Sequence, residues 1–465
     1  MDDARGLCTF RLLASEAPIM RETEDAILTL FSTLGSPKEV ELYLKNYARA
    51  DDEKRFAVIK VGGAVIERDL NALASSLALL KKVGLVPVVV HGARPQLDRA
   101  LREMGIESRF VDDLRVTTPE VLDVARKVFV RETMRLVDAL EAHGARARPL
   151  TTGIFEAVQM SPELGMVGDI IEIDDDPIKA AIQARVIPVV APLGETPEGQ
   201  ILNLSADYAA LDLARELQPR KVILLTTTGG LLDSEGTILP AVNLAEDFES
   251  LSGGDELDVT GKKKLAALKE LLDALPPSSS VSITSPEHLV KELFTHKGAG
   301  TLVKQGERVR VVESFDDVDR PRLKALLESC FGRALDPNYF ERKRPYRIYL
   351  AESFRAVAIL THEGQLGQQG VPYLDKFAVT TEAQGAGVGG SIWTKLLRDN
   401  PKLYWRARRA NPINAWYFEQ ADGAYKTDEW VVFWDGLVEY DEIKTAVEDA
   451  LSLPPTMIAH AETNT

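Results

Sequence analysis

Regular patterning of apolar and polar positions begins at Glu22. Apolar residues at Ile27, Leu28, Leu30, Phe31 and Leu34, and again at Val40, Leu42, Tyr43, Leu44 and Tyr47, predict two amphipathic helices split by Gly35-Ser36-Pro37. From Arg55 the rhythm changes to short apolar runs of strand length alternating with helical stretches. FAVIKVGGAVI reads as a strand and glycine turn, LNALASSLALLKKVG as a helix, and LVPVVVHGARPQLDRALREMG repeats strand, turn and helix. ARPLT, VIPVVAPLG, the helix SADYAALDLARELQ, the strand KVILLTTTGGLLD and the helix KKLAALKELLDAL continue the alternation. This pattern predicts a mostly parallel α/β domain that binds ligands at the C-terminal edge of its sheet.

Thr295–Gly306 (THKGAGTLVKQG), rich in glycine and lysine, predicts a domain exit. A second, smaller α/β unit follows, with a strand at Val309–Val312, a helix over Val318–Cys330, and strands at Tyr346–Leu350 and Ala356–Thr361. It continues through YLDKFAVTTEAQGAGVGGSIWTKLL, in which a strand (Leu374–Thr380) meets glycines that open an apolar helix. LYWRARRANPINAWYF, EWVVFWDGLVEY and a final helix close it. The expected division is an N-terminal segment 1–54, a first domain 55–303, a second domain 304–453 and a loose tail 454–465. The first two helices serve either oligomer contacts or packing on their own domain.

A chain of 465 residues suits this multi-domain reading. The formal charge of −16 argues against nucleic acid or an anionic membrane as bulk partner. No apolar run is long enough to span a bilayer, and no leader of signal-peptide pattern opens the chain. Cys8 and Cys330 lack disulfide or zinc spacing, so a soluble, cytoplasmic protein without a metal site is expected.

Chemistry concentrates at two places. In the first domain, Lys60-Val61-Gly62-Gly63 and His91-Gly92 end successive strands, Asn203 and Asp207 straddle a strand-to-helix turn, and Lys264 begins a helix after a glycine. Glycines let backbone approach a phosphate closely, and lysines place point charges on its oxygens. No GxxxxGK[ST] loop is present. In the second domain Gly385, Gly387, Gly389 and Gly390 precede a helix, where unpartnered N–H groups favour an anion. Arg406 and Arg408 alternate on a strand and so share a face. The glycines fit GxGxxG, but the stretch Thr380 to Gln384 stands between them and the apolar part of the strand, and Arg406 stands where a dinucleotide ribose calls for an acid. Gln384-x-x-Gly387-x-Gly389 fits a pyrophosphate loop for acetyl-CoA better. Trp393, Trp416, Tyr417 and Phe418 serve equally as core residues, and the arginines equally as a solvated face.

Residues from Arg55 to Val303 resemble the amino-acid kinase family, and within it the acetylglutamate kinases, through KVGGAVI, RVTTPEVLDVA, NLSAD and GKKKLAALKELL. The resemblance implies an αβα sandwich that binds ATP with Mg²⁺. In it Lys60 and Lys264 face the transferring phosphoryl group, Asp207 organises the lysines, Gly62, Gly63 and Gly92 line the phosphates, and Arg115 and Asn203 hold N-acetyl-L-glutamate. Arg94 departs from the family's pattern, either obstructing the site or adding a cation. The 309–440 unit resembles the acetyltransferase domain of vertebrate-type N-acetylglutamate synthase, a GNAT-like fold, through YLDKF, WRARRANPINAWYF and WVVFW. That resemblance implies acetyl-CoA on Phe377, Val379, Gln384, Gly385, Gly387 and Gly389. It puts L-glutamate on Lys376 and Arg406, with Arg408 and Asn411 nearby, and makes Tyr417 the acid for the leaving thiolate. It further implies an L-arginine effector and a homo-oligomer, a tetramer. The expectation is a synthase joined to a kinase in arginine biosynthesis; the rivals are a synthase with a silent kinase domain and a non-catalytic amino-acid sensor.

Overall fold

The computed structural model describes residues 56–276, 279–294, 299–381, 383 and 388–458, so the two expected N-terminal helices lie outside the described residues. The chain divides into two compact units. One is built on residues up to Val242 and on Phe248–Gln305, the other on Asn243–Asp247 and the residues from Gly306 onward.

The first unit has an eight-stranded sheet in the order Ala241–Asn243, Gly300–Lys304, Ser280–Thr284, Lys221–Leu225, Ala57–Val61, Val88–His91, Ile187–Val190, Ala147–Leu150. Neighbours from Ser280–Thr284 through to Ala147–Leu150 run parallel, and Gly300–Lys304 is antiparallel to Ser280–Thr284. The central strands AVIKV, VVVH, IPVV, KVILL and SVSIT are buried almost throughout, as parallel strands covered on both faces must be. A second sheet, which the sequence pattern did not predict, joins Ile201–Asn203, Leu193–Glu195, Phe155–Gln159 and Gly168–Ile173.

The second unit carries a seven-stranded sheet in the order Val309–Val312, Pro345–Ala351, Ala356–Thr361, Tyr373–Val379, Leu403–Arg408, Trp430–Asp435, Gly423–Lys426. All neighbours are antiparallel except Tyr373–Val379 and Leu403–Arg408. Helix Val388–Asp399 packs Val388, Ile392, Trp393 and Leu396 with Leu374, Phe377 and Trp405 in one apolar cluster. Helix Arg320–Phe331 contributes Leu323, Leu326 and Leu327 to a second cluster, with Ala378. Helix Tyr440–Ser452 adds Ala446 and Ala450 to a third, with Tyr373 and Tyr404.

Two expectations need correction. The helix holding Lys264 begins at Val259, where Asp258 accepts from the Gly261 N–H at 2.6 Å, so Lys264 sits in its second turn. The tail expected to be loose from residue 454 is ordered through Ile458, because Met457–Ile458 pairs antiparallel with Ala334–Leu335. Among the described residues no helix is long and apolar enough to cross a membrane.

Candidate active sites

In the first unit, adjacent parallel strands deliver two glycine turns to one sheet edge. Gly62 donates to the Leu225 carbonyl at 3.2 Å and Gly92 to the Val61 carbonyl at 2.8 Å, so the turns lie side by side. Gly63 is needed for packing, since a Cβ there would come within 2.9 Å of Ala93 Cα and Pro95 Cδ. Gly62 and Gly92 differ. An added Cβ would meet nothing nearer than 3.5 Å and 3.4 Å respectively, so the chain's own packing does not demand glycine at either. That space at a strand edge fits a phosphate close to backbone.

Lys60 Nζ lies 2.8 Å from Asp207 Oδ1, in the first turn of helix Ala206–Leu217. Crowding disfavours the Asp207 charge although its side chain is 65% exposed, but Lys60, Lys264 and Arg94 together hold its carboxyl below the usual range. Burial and the nearby Lys60 push the Lys264 ammonium down, and Asp207 offsets them. Lys60, Lys264, Asp207 and Arg94 are therefore one electrostatic group. Arg94 lies exposed at the start of its helix, its guanidinium 4.4 Å over the Phe110 ring.

The hairpin Phe110–Val111/Leu114–Arg115, which turns through Asp112 and Asp113 at positive φ, brings the Arg115 guanidinium within 4.6 Å of the centre of the same ring. Arg115 is buried, donating to Ser108 Oγ at 2.5 Å and pairing with Asp98 at 2.5 Å. Asn203 Nδ2 donates to Thr117 Oγ1 at 3.0 Å, and Thr117 Oγ1 donates to the Arg115 carbonyl at 2.9 Å. Arg115, Thr117 and Asn203 are thereby brought together. Thr117 was missed because a buried threonine carries no signal of its own. Among the described residues no group of three or more His, Cys, Asp or Glu could hold a metal ion.

In the second unit, the one parallel strand pair separates early. Tyr373 pairs with Tyr404 and Leu374 with Trp405, and the pairing ends there. Beyond it Phe377 and Ala378 pair only with Ala358 and Val357 on the other side. Gly389 lets helix Val388–Asp399 close onto this strand, since a Cβ there would meet Val379 Cγ2 at 2.8 Å. Gln384, Gly385 and Gly387 lie outside the described residues.

Tyr417 projects from helix Asn414–Gln420 into the cluster that holds Phe377, Trp393 and Trp405. Its ring is 5.8 Å from Trp393 and 5.4 Å from Trp405, and burial pushes its phenol well above the ordinary value. The indole Nε1 atoms of Trp393 and Trp405 are buried and make no hydrogen bond with any described residue. Asn411 opens the Tyr417 helix by accepting from the Ile413 N–H at 3.2 Å. Asn414, which sequence reasoning missed, ties that helix to the preceding strand by donating to the Arg408 and Arg409 carbonyls at 2.8 and 3.1 Å.

Arg406 and Arg408 share a face, their guanidinium groups 4.1 and 4.4 Å over the Trp430 ring. Arg408 pairs with Glu429. Lys376 is buried, with its ammonium 2.6 Å from Asp375 Oδ2 and 2.5 Å from Thr456 Oγ1. Asp375 also accepts from the Tyr339 hydroxyl at 2.7 Å and lies 3.3 Å from Lys343, which pairs with Glu363 at 2.5 Å. Burial opposes the Asp375 charge, but Lys376 and Lys343 hold its carboxyl down to about 2. None of Asp375, Lys343, Tyr339 or Glu363 showed in the sequence as part of a site, because, apart from the Asp375–Lys376 pair, their contacts join residues far apart along the chain.

Residues 55–271 match the amino acid kinase family, and residues 310–452 match the N-acetyltransferase domain of N-acetylglutamate synthase. The chain is 48% identical over 426 residues to the acetylglutamate kinase of Xanthomonas campestris pv. campestris, covering 91% of this chain and 100% of that one. It is 33% identical to the mitochondrial N-acetylglutamate synthase of Danio rerio, covering 93% of this chain and 80% of the relative. Among solved structures, N-acetylglutamate synthase from Neisseria gonorrhoeae, complexed with coenzyme A and N-acetyl-glutamate, shares the fold at TM-score 0.58 and 21% identity, over 85% of this chain and 98% of that one. With an amino acid kinase domain followed by the acetyltransferase domain of N-acetylglutamate synthase, the chain belongs to the family of these acetylglutamate kinases and N-acetylglutamate synthases.

Proposed function

We propose that the second unit transfers the acetyl group of acetyl-CoA to L-glutamate, and that the first phosphorylates the resulting N-acetyl-L-glutamate with ATP, as the opening steps of arginine biosynthesis. The observation that carries this reading is the early separation of Tyr373–Val379 from Leu403–Arg408, with buried Tyr417 in the adjoining cluster. Phe377 and Val379 lie on the strand bordering that separation and offer backbone to the pantetheine arm. The glycine loop with Gln384, Gly385 and Gly387, next to Gly389, supplies N–H groups to the pyrophosphate.

In acetyl transfer the amine nitrogen of glutamate bonds to the thioester carbonyl carbon, the carbon–sulfur bond breaks, and its electron pair stays on sulfur. The ammonium of glutamate first gives one proton to solvent; in the transfer the amine then loses a second and the thiolate gains one. Tyr417, kept protonated by burial, is a donor and not a base at neutral pH. It gives its proton to the leaving sulfur and recovers one released from the amine. Lys376 and Arg406 meet the two carboxylates of glutamate, with Arg408 and Asn411 at the border of that site.

In the kinase unit the chemistry is chiefly charge neutralisation and positioning. Lys60 and Lys264 face the transferring phosphoryl group, and Asp207 holds the two lysines in register. Gly62, Gly63 and Gly92 present backbone to the phosphates, while Arg115 and Asn203 hold the acceptor. Arg94 reaches the same electrostatic group from an exposed position, which favours an added cation over an obstruction. Mg²⁺ arrives on ATP. A homotetramer, a cytoplasmic location and L-arginine as effector complete the reading, and sizing in solution and assays with added arginine test the first and last. Free-thiol release from acetyl-CoA on adding L-glutamate tests the transferase; folded protein that releases none contradicts it.

A further inference from the structure

The ordered C-terminal segment touches both cations that the acetyl-transfer reading assigns to glutamate. Arg406 donates from Nη1 to the Ala450 carbonyl at 2.6 Å and from Nη2 to the Leu453 carbonyl at 2.7 Å, with Pro454 at 3.4 Å. These carbonyls end helix Tyr440–Ser452, where a cation also meets the negative end of the helix dipole. Two residues further on, Thr456 Oγ1 accepts from Lys376 Nζ at 2.5 Å. Thr456 is itself fixed, because its carbonyl accepts from the Asp336 N–H at 3.0 Å and the next two residues pair with Ala334–Leu335. Between the anchors stand Pro454 and Pro455, whose rings restrict φ and remove two backbone donors. The segment is therefore a stiff clip with one end on Arg406 and the other on Lys376.

An ammonium has three N–H donors and rotates freely about its stem. For Lys376 two of the recorded bonds return to Asp375, one to its carboxylate and one at 3.2 Å to its carbonyl. Of its hydrogen bonds only that to Thr456 reaches another part of the chain, and the ammonium also lies 4.9 Å from the centre of the Tyr339 ring. We propose that Leu453–Ile458 is a working part of the acceptor site, and that Thr456 is a positioning residue that sets the Lys376 ammonium relative to Arg406 for the two carboxylates of an amino-dicarboxylic acid. Glutamate specificity then depends on a residue that contributes nothing to acetyl-CoA binding. This inference rests on the acetyl-transfer reading.

The test compares wild type, Thr456→Val and Thr456→Ser in steady-state thiol release, with acetyl-CoA binding measured separately by calorimetry and melting temperature as a fold control. Valine keeps the shape and removes the acceptor that fixes the ammonium in place, so Lys376 is no longer set for the carboxylate and the KM for L-glutamate rises about tenfold or more. The kcat and the acetyl-CoA affinity stay near wild type, and serine restores the glutamate KM. A glutamate KM that is unchanged or lowered in the valine variant, or raised equally with serine, overturns the proposal, as does a matching loss of acetyl-CoA affinity. Should Thr456→Val melt far below wild type, the serine variant and Pro455→Ala, which loosens the clip without touching Lys376, carry the same comparison. Absence of thiol release from wild type defeats the acetyl-transfer reading itself, a result distinct from all of these.

Discussion

Tyr417 shows how environment assigns a role to a residue. Its ring lies among Phe377, Trp393 and Trp405, where an isolated phenol is a costly place for a negative charge. It therefore stays protonated at neutral pH, and in the proposed reaction its hydroxyl is the proton donor. Tyr417→Phe keeps the ring packing and removes the proton, so kcat for acetyl transfer falls roughly 10²-fold or more while acetyl-CoA affinity holds. Titration calorimetry beside steady-state kinetics separates the two, and unchanged turnover rejects the acid role. The lysines proposed for phosphoryl transfer respond differently. Lys60→Met removes the partner of Asp207 and the charge beside Lys264, so ADP formation is lost with thiol release intact. Arg94→Gly keeps this group but removes one cation from it. If Arg94 adds to the site, the variant forms ADP more slowly, and faster formation would mark it as an obstruction.

At the scale of elements, the two glycines of one turn have different duties. Gly63→Ala drives a Cβ into Ala93, Pro95 and Gln96 and destabilises the fold by about 1–3 kcal/mol. Gly62→Ala has room and leaves the urea midpoint nearly unchanged, yet weakens ATP binding if phosphate lies there. The neighbouring strand Val88–His91 carries a pH liability. Burial holds the His91 imidazole down to about 4, from an ordinary 6.5. Between those pH values the unfolded chain takes up a proton that the folded chain refuses. Stability is full above the unfolded value and is lost as pH falls toward the folded one, by up to roughly 3 kcal/mol. The drop in urea midpoint from pH 7.5 to 5 should shrink in His91→Asn; an undiminished drop places the liability elsewhere.

The same scale explains what sequence could reveal. Strands such as KVILL and VVVH were legible because burial on both faces leaves apolar residues everywhere but at one end. Leu193–Glu195 and Ile201–Asn203 are too short to show a period, and Phe155–Gln159 and Gly168–Ile173 are half exposed. Pro454-Pro455 read as a loose end because prolines offer no local pairing, while the strand that holds Met457–Ile458 lies far upstream at Ala334–Leu335. Candidates such as Lys60, Gly62, Gly92 and Asp207 stood out by their places at strand ends, glycine turns and a helix start, and the fold puts Lys60 2.8 Å from Asp207. Thr456, Asp375, Lys343 and Asn414 matter through partners that only folding supplies.

At the scale of the molecule, each unit has its own core, and on the proposed reading the product of one is the acceptor of the other. Tyr417→Phe and Lys60→Met should therefore each remove one activity and spare the other. The acetyl-transfer step carries the larger claim, since the second activity has no acceptor from L-glutamate without it. Its most direct measurement supplies the intact chain with L-glutamate, acetyl-CoA and Mg²⁺-ATP and follows thiol and ADP together. The account predicts thiol release that requires L-glutamate, followed by ADP formation that requires acetyl-CoA unless N-acetyl-L-glutamate is added. Folded protein that forms ADP from N-acetyl-L-glutamate but never releases thiol with L-glutamate would contradict it.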